Sequence, residues 1–297
     1  MLLEYLSNSK NKYDKILLKI INLIIKNGIP NYLNKFIENL KKIKFENNIN
    51  NDKNFLKVST KLIKLYHYHS SINISFKFNS THADKLIPTK FSIINNIGII
   101  KLYIFDTYSL KKSQINDYIK NITDFLDQNK NMKGLILDFR KHTGGSIWPL
   151  IEALSRFLNN NTLFAWDNNK VNFNQKKWVN LVNNTPKYNQ HFIKSNINTT
   201  YPIAIIIGNK TASAGEFVAS CFTSDKNVKF FGQRTAGYLS VNNTYNVDKY
   251  EIHFPIALQT SKNGNFQEYL EPNVYTNKPI TDAKKWIMNQ FHSYEES

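Results

Sequence analysis

The sequence predicts an α/β protein whose sheet-bearing part follows a small helical bundle, and three observations predict it. Apolar residues recur at helical spacing through residues 13–27, 30–43 and 53–67. The period then changes to two at "SINISFKF" (71–78). Beyond it, apolar strand patterns and amphipathic helix patterns alternate, as they do where helices pack on a sheet.

Taken in order, the first helix is amphipathic. In "KILLKIINLIIKNGI", Lys15, Lys19, Asn22 and Lys26 draw one polar stripe, which marks packing against a core and not a membrane span. Gly28 and Pro30 separate it from the second helix. Residues 1–70 are therefore expected to form an N-terminal helical subdomain and 71–297 the second domain. In that second part "IGIIKLYIF" (97–105) and "GLILDF" (134–139) read as strands, with a helix near 111–129 between them. "IWPLIEALSRFL" reads as a helix, "YPIAIIIG" as a strand apolar on both faces, and "SAGEFVASCF" as a helix. Residues 167–200, rich in Asn, Lys and aromatics without a clear period, read as an inserted loop or lid. A β-rich stretch follows at 228–258, and a last helix lies near 281–292.

Composition narrows the function classes. An apolar content of 41% fits a folded protein. The formal charge of +17 raises nucleic acid or an anionic surface as a partner. The lysines are scattered among Asn and Ile along the chain, so no nucleic-acid partner is expected. Cys221 is the single cysteine, which excludes an internal disulfide and fits a reducing compartment. No basic leader with an apolar core opens the sequence, so no secretory signal is expected and the cytoplasm is favoured.

Two stretches carry chemistry. The strand "PIAIIIG" delivers Ser213 to the start of a helix, where free N–H groups and the helix dipole favour developing negative charge. Ala212, Ala214 and Gly215 leave room for a substrate backbone. The same position suits a plain helix N-cap, and "TASAG" lacks the first glycine of a G-x-S-x-G elbow. In "GLILDFRKHTGGSIWP" a buried strand reaches Gly144-Gly145, a pair that can turn backbone N–H groups toward a ligand oxygen or form an ordinary turn.

Together these stretches resemble the tail-specific (C-terminal-processing) and tricorn-core serine peptidases. "LDFRKHTGGS" resembles their D-L-R-x-N-x-G-G segment and "TASAGE" their nucleophile segment. "GQRTAG" (232–237), "NIGIIKLYIF" and "YLEPNVYT" resemble three further segments in the same order. The likeness covers roughly residues 66–280. It implies a ClpP/crotonase-like ββα-spiral catalytic domain, a polypeptide substrate, and no metal or nucleotide cofactor.

The resemblance also implies a choice of general base. Tail-specific members place a lysine 25 residues beyond the nucleophile, where this sequence has Tyr238. The tricorn-like branch uses a histidine from a D-G-H-S/T segment, oriented by a serine and a glutamate. "LYHYHSS" (65–71) matches at His69-Ser70, so His69 is the implied base, acting as an imidazole near its ordinary pKa of about 6.5. His67-x-His69 taken alone also fits a packed helix end or half a metal site. The orienting carboxylate is Glu268 or Glu271, the latter 58 residues after Ser213. Backbone N–H groups of Gly144 and Ala214 are the implied oxyanion hole.

The match has departures. His67 and Tyr68 replace the residues usual before the histidine, His142 stands where Asn is usual, and Asn273 replaces a terminal Asp. No stretch between 71 and 96 is long enough for a PDZ domain, so selection would fall to the cleft and the 167–200 insertion, with Trp148 and Trp166 as lining residues or as packed core. The reading is a serine endopeptidase. Its rivals are a same-fold carrier of peptides or hydrophobic ligands, and a basic nucleic-acid-associated protein.

Overall fold

The computed structural model describes residues 2–43, 49–74, 88–105, 110–158, 162–167, 177–180, 201–223, 225–260 and 268–295. In chain order the elements are α1 (Leu2–Asn8), α2 (Lys12–Asn27), α3 (Pro30–Lys42), α4 (Asp52–Lys64), β1 (Ser71–Ile74), β2 (Lys90–Ile94), β3 (Ile97–Phe105), α5 (Lys112–Gln128), β4 (Gly134–Gly145), α6 (Trp148–Ala153), β5 (Thr162–Asp167), β6 (Lys177–Asn180), β7 (Ile203–Ile207), α7 (Ala214–Ser220), β8 (Val228–Gly232), β9 (Ser240–Val247), β10 (Tyr250–Thr260), β11 (Val274–Tyr275) and α8 (Pro279–Glu295). The fold is mixed α/β with helices first. Of the expected insertion at 167–200, Asp167 ends a strand and Lys177–Asn180 form another, and the rest lies outside the described residues. Residues 75–78 of the expected first strand lie there too.

The chain divides into two compact units. One comprises Met1–Asn79, Trp166–Lys177 and Ser240–Gln259; the other comprises Ser80–Ala165, Trp178–Leu239 and Thr260–Ser297. In the first, the apolar stripes of α2 and α4 meet the hairpin of β9 and β10, and β1 pairs antiparallel with β10. The helices start where side chains cap them. Asn11 accepts from the Tyr13 N–H (2.8 Å) and Asn51 from the Asn54 N–H (2.9 Å), while Pro30 opens α3. Asp52 ties the bundle to the hairpin by accepting from Lys249, from the Tyr250 hydroxyl (2.6 Å) and from the Tyr13 hydroxyl (3.1 Å). Those partners hold its carboxyl down at about 2.

The second unit is built on a six-stranded sheet of order β11-β8-β7-β4-β3-β2, parallel throughout except for the antiparallel β2. Its central strand β7 is buried at every position, as a strand apolar on both faces requires. On one face Ile97, Ile99, Ile136, Ala204, Ile206 and Phe231 pack against Ala283 and Ile287 of α8. The alternate residues Leu135, Leu137, Ile203 and Ile205 point to the opposite face and are equally buried.

Two elements differ from expectation for identifiable reasons. The strand expected to end at Phe139 runs to Gly145, because β3 stays paired with it through two register shifts, from Lys101 opposite Asp138 to Phe105 opposite Gly145. The helix expected across "IWPLIEALSRFL" stops at Ala153 and passes into a short 3₁₀ turn over Ser155–Phe157.

Tyr66 offers a direct check on the first unit. Its buried hydroxyl accepts from the Ile29 N–H (2.7 Å) and donates to the Pro255 carbonyl (2.6 Å). Tyr66→Phe strips both backbone groups of their partner and should lower unfolding stability by about 2–4 kcal/mol in urea titrations.

Candidate active site

Ser213 sits between the end of β7 and the first residue of α7, in the second unit. Its backbone lies at φ +49°, ψ −117°, a region that L-residues rarely adopt and that costs on the order of 1–3 kcal/mol. An ordinary N-cap serine has extended φ/ψ. Ser213 and Glu216 form a reciprocal capping box, but the strained backbone sets this turn apart from an ordinary cap and resembles the sharp strand-to-helix corner that presents a nucleophile.

What holds the strain is a buried carboxylate. Glu216 has no exposed surface, and its oxygens accept from the N–H groups of Ser213 (2.8 Å), Gly237 (2.8 Å) and Tyr238 (2.7 Å). Burial pushes its carboxyl above the ordinary carboxylate value, against the pull of these bonds and of the Thr235 hydroxyl. The turn is also pinned from below. Ala212 N–H donates to the His142 carbonyl (3.1 Å), and Thr211 Oγ1 accepts from the Gly208 N–H (3.0 Å) while donating to the Phe139 carbonyl (3.0 Å). A Cβ at position 215 would lie 2.5 Å from the His142 carbonyl oxygen, so glycine is what lets α7 approach β4 this closely.

The "GQRTAG" segment and the tail close on the same turn. Thr235 N–H donates to the Leu270 carbonyl (3.1 Å), and Leu270 N–H donates to Thr235 Oγ1 (2.8 Å). Ala236 N–H reaches the Thr211 carbonyl (2.9 Å). Asn273, in the place of an aspartate, accepts from the Phe230 N–H (2.7 Å) and so fixes the tail to β8. Glu268 and Glu271 flank Leu270 and are both exposed. At the end of β4, Gly144 and Gly145 take φ of +140° and +102°. A Cβ on Gly144 would lie 3.5 Å from Ser213 Cβ and 4.0 Å from its Oγ, which puts this glycine beside the hydroxyl.

His142 sits beneath this corner, fully buried, with no hydrogen-bond partner for either ring nitrogen among the described residues. Burial pushes its pKa down to about 4.

His69 belongs to the first unit, just before β1. Its Nδ1 lies 2.7 Å from the hydroxyl of Ser240 at the start of β9, a partner that sequence reading left unnamed. The Asn242 amide donates to the His69 carbonyl (3.2 Å), and the His69 N–H donates to His67 Nδ1 (3.1 Å). The imidazole is not near 6.5 as expected. Burial, and secondarily the neighbouring His67, lower its pKa to about 4. His67 is likewise lowered to about 4 by burial, stacked on Tyr68 with ring centres 4.3 Å apart. With His67 Nδ1 already accepting a backbone N–H, the pair is ill suited to share a cation. Among the described residues no group of three His, Cys, Asp or Glu could hold a metal ion. Nor is any described helix long and apolar enough to cross a membrane.

Known proteins resemble this chain in sequence and in fold. The sequence profile described as peptidase family S41 matches residues 96–276. A nisin-resistance protein of Lactococcus lactis subsp. lactis is 30% identical over 228 residues, spanning 75% of this chain and 70% of that protein. A lipoprotein of Streptococcus agalactiae superposes with a TM-score of 0.72 at 25% identity, over 95% of this chain and 98% of the other. A candidate peptidase of Parabacteroides merdae, with a TM-score of 0.63 at 13% identity over 92% and 96% of the two chains, shares the fold.

His67 and His142, which are buried, and His69, which is half-buried, fix the sign of the acid response. Each has a folded pKa of about 4, below the roughly 6.5 of an unfolded histidine, so unfolding takes up protons between those values. Stability is full above about pH 6.5 and falls on acidification toward pH 4, by about 1.4 kcal/mol per pH unit for His142 alone. Tm measured between pH 7.5 and 5 should drop, and His142→Leu, which removes the unpartnered polar ring, should flatten that drop.

Proposed function

The chain belongs to peptidase family S41, and from that premise we propose that it hydrolyses polypeptides through an acyl-enzyme on Ser213, with His69 as the proton acceptor. The observation that carries the reading is the Ser213 corner. A serine held at positive φ by a buried glutamate, with Gly144 beside its hydroxyl, is the arrangement a nucleophile needs. The N–H groups of Gly144 and Ala214 serve as donors to the tetrahedral oxyanion. Under this reading the second unit carries the ClpP/crotonase-like ββα-spiral.

His69 takes the Ser213 proton through Nε2 while Ser240 engages Nδ1, which favours one tautomer. Tyr238, gripped by Glu216, and Ser240 stand two residues apart in the sequence. Glu271 or Glu268 steadies the imidazolium as it forms, and water then resolves the acyl-enzyme. With no lysine at position 238, the histidine-based branch of the family is the one that fits. A lowered pKa keeps His69 neutral, and therefore competent as a base, well into acid, though it is a weaker base for it.

The likeness to a nisin-resistance protein makes nisin the first substrate to assay. Ser213→Ala and His69→Ala should each lower kcat by at least about 10³-fold. Wild-type kcat/KM should hold constant from pH 7.5 to 5.5 and fall only toward about pH 4. An acidic limb centred near 6.5 would remove His69 as the base in this environment, and full activity in Ser213→Ala would remove the nucleophile.

A further inference from the structure

One cavity of the sheet unit is strongly basic. A cavity of about 950 Å³ opens at the carboxyl ends of β3, β4, β7 and β8, where open α/β sheets commonly bind ligands. Lys90, Lys101, Arg140, Lys141 and Lys210 line it, with Asp138 as its one carboxylate. Asp138 is already neutralised, since Arg140 Nε and Nη2 bind its two oxygens at 2.9 and 2.8 Å. The four lysines are exposed, and among the described residues none has a carboxylate partner.

Strand register gathers these charges. Lys90 pairs with Lys101, and Lys101 with Asp138, across three neighbouring strands, so they stand in one row on the face that α8 covers lower down. Like charges directly opposite on adjacent strands repel. An anion placed among them would relieve that repulsion.

Two of the cavity's lining residues are close in sequence to the Ser213 corner. Thr143 in its wall immediately precedes Gly144, which lies beside the Ser213 hydroxyl, and Lys210 is three residues before Ser213. We infer that this cavity receives acidic side chains of the polypeptide substrate that flank the bond Ser213 attacks. The position relative to the cleaved bond rests on the reading of Ser213 as nucleophile; the anion site rests on the lysines alone. Carboxylates of a peptide are favoured over phosphate because Thr143 in the cavity wall leads directly into Gly144, which lies beside the Ser213 hydroxyl.

The test reads binding, so that it does not depend on turnover. The Ser213→Ala protein is titrated by fluorescence anisotropy with a labelled decapeptide carrying four glutamates and with its glutamine counterpart. The acidic peptide should bind about tenfold tighter or more at low salt, with the gap narrowing as salt screens it. Lys101→Glu/Lys210→Glu should abolish the difference and Lys101→Gln/Lys210→Gln reduce it. Lys53→Glu/Lys57→Glu, which makes the same change in net charge in the first unit, should leave it intact. Equal binding of the two peptides, or an acidic preference that survives Lys101→Glu/Lys210→Glu, overturns the inference. Tripolyphosphate binding tighter than the acidic peptide through the same lysines overturns it in favour of phosphate chemistry. Failure of wild type to cleave any peptide, with acidic binding intact, would count against the hydrolytic reading and support the anion site.

Discussion

The constraint on which the rest depends is the buried carboxylate of Glu216. A single side chain accepts the backbone N–H of Ser213 and those of Gly237 and Tyr238, and so joins the end of the central strand to the segment after β8. Without an acceptor at that point, a non-glycine residue at φ +49° would relax toward an ordinary helix start. Burial works against the carboxylate's charge while three N–H groups favour it, and the balance keeps a polar group where apolar packing would otherwise prevail. Gly215 and the His142 carbonyl set how near α7 can come. The corner is therefore specified from both sides.

Burial has a second consequence in the first unit. His69 is kept neutral because its cation would be poorly solvated, and the Ser240 hydroxyl at Nδ1 sets its orientation. An imidazole lowered this far gives up basicity and gains a wide range of pH over which it can accept a proton. His142 obeys the same rule with no visible use, since its ring has no hydrogen-bond partner among the described residues.

Much of the fold was legible in the sequence because the strongest signals are periodic. The polar stripe of α2, the all-apolar β7 and the alternation that follows each map onto an element within a few residues. Short elements such as β2, β11 and α1 were missed, because so few residues carry little period. Ser213, Gly144 and His69 could be named from motifs, which are local. Ser240 could not, since it meets His69 only through the pairing of β1 and β9 with β10, across 171 positions of sequence. Glu216 was visible in "TASAGE", but two of its three N–H partners, Gly237 and Tyr238, come from a loop more than 20 residues later. The basic cavity was hidden for the same reason. Its lysines look scattered along the chain and become neighbours only when strand register brings Lys90 opposite Lys101.

The account's central claim is that the Ser213 hydroxyl is a nucleophile whose reactivity needs the His69 imidazole. Reaction of the intact protein with a fluorophosphonate, followed by peptide mass mapping, reads this without a natural substrate. The account predicts one adduct, on Ser213, formed at equal rates at pH 7.5 and 5.5 and lost in His69→Ala. An adduct that forms as fast in His69→Ala, or a folded wild-type protein that carries none, would contradict it.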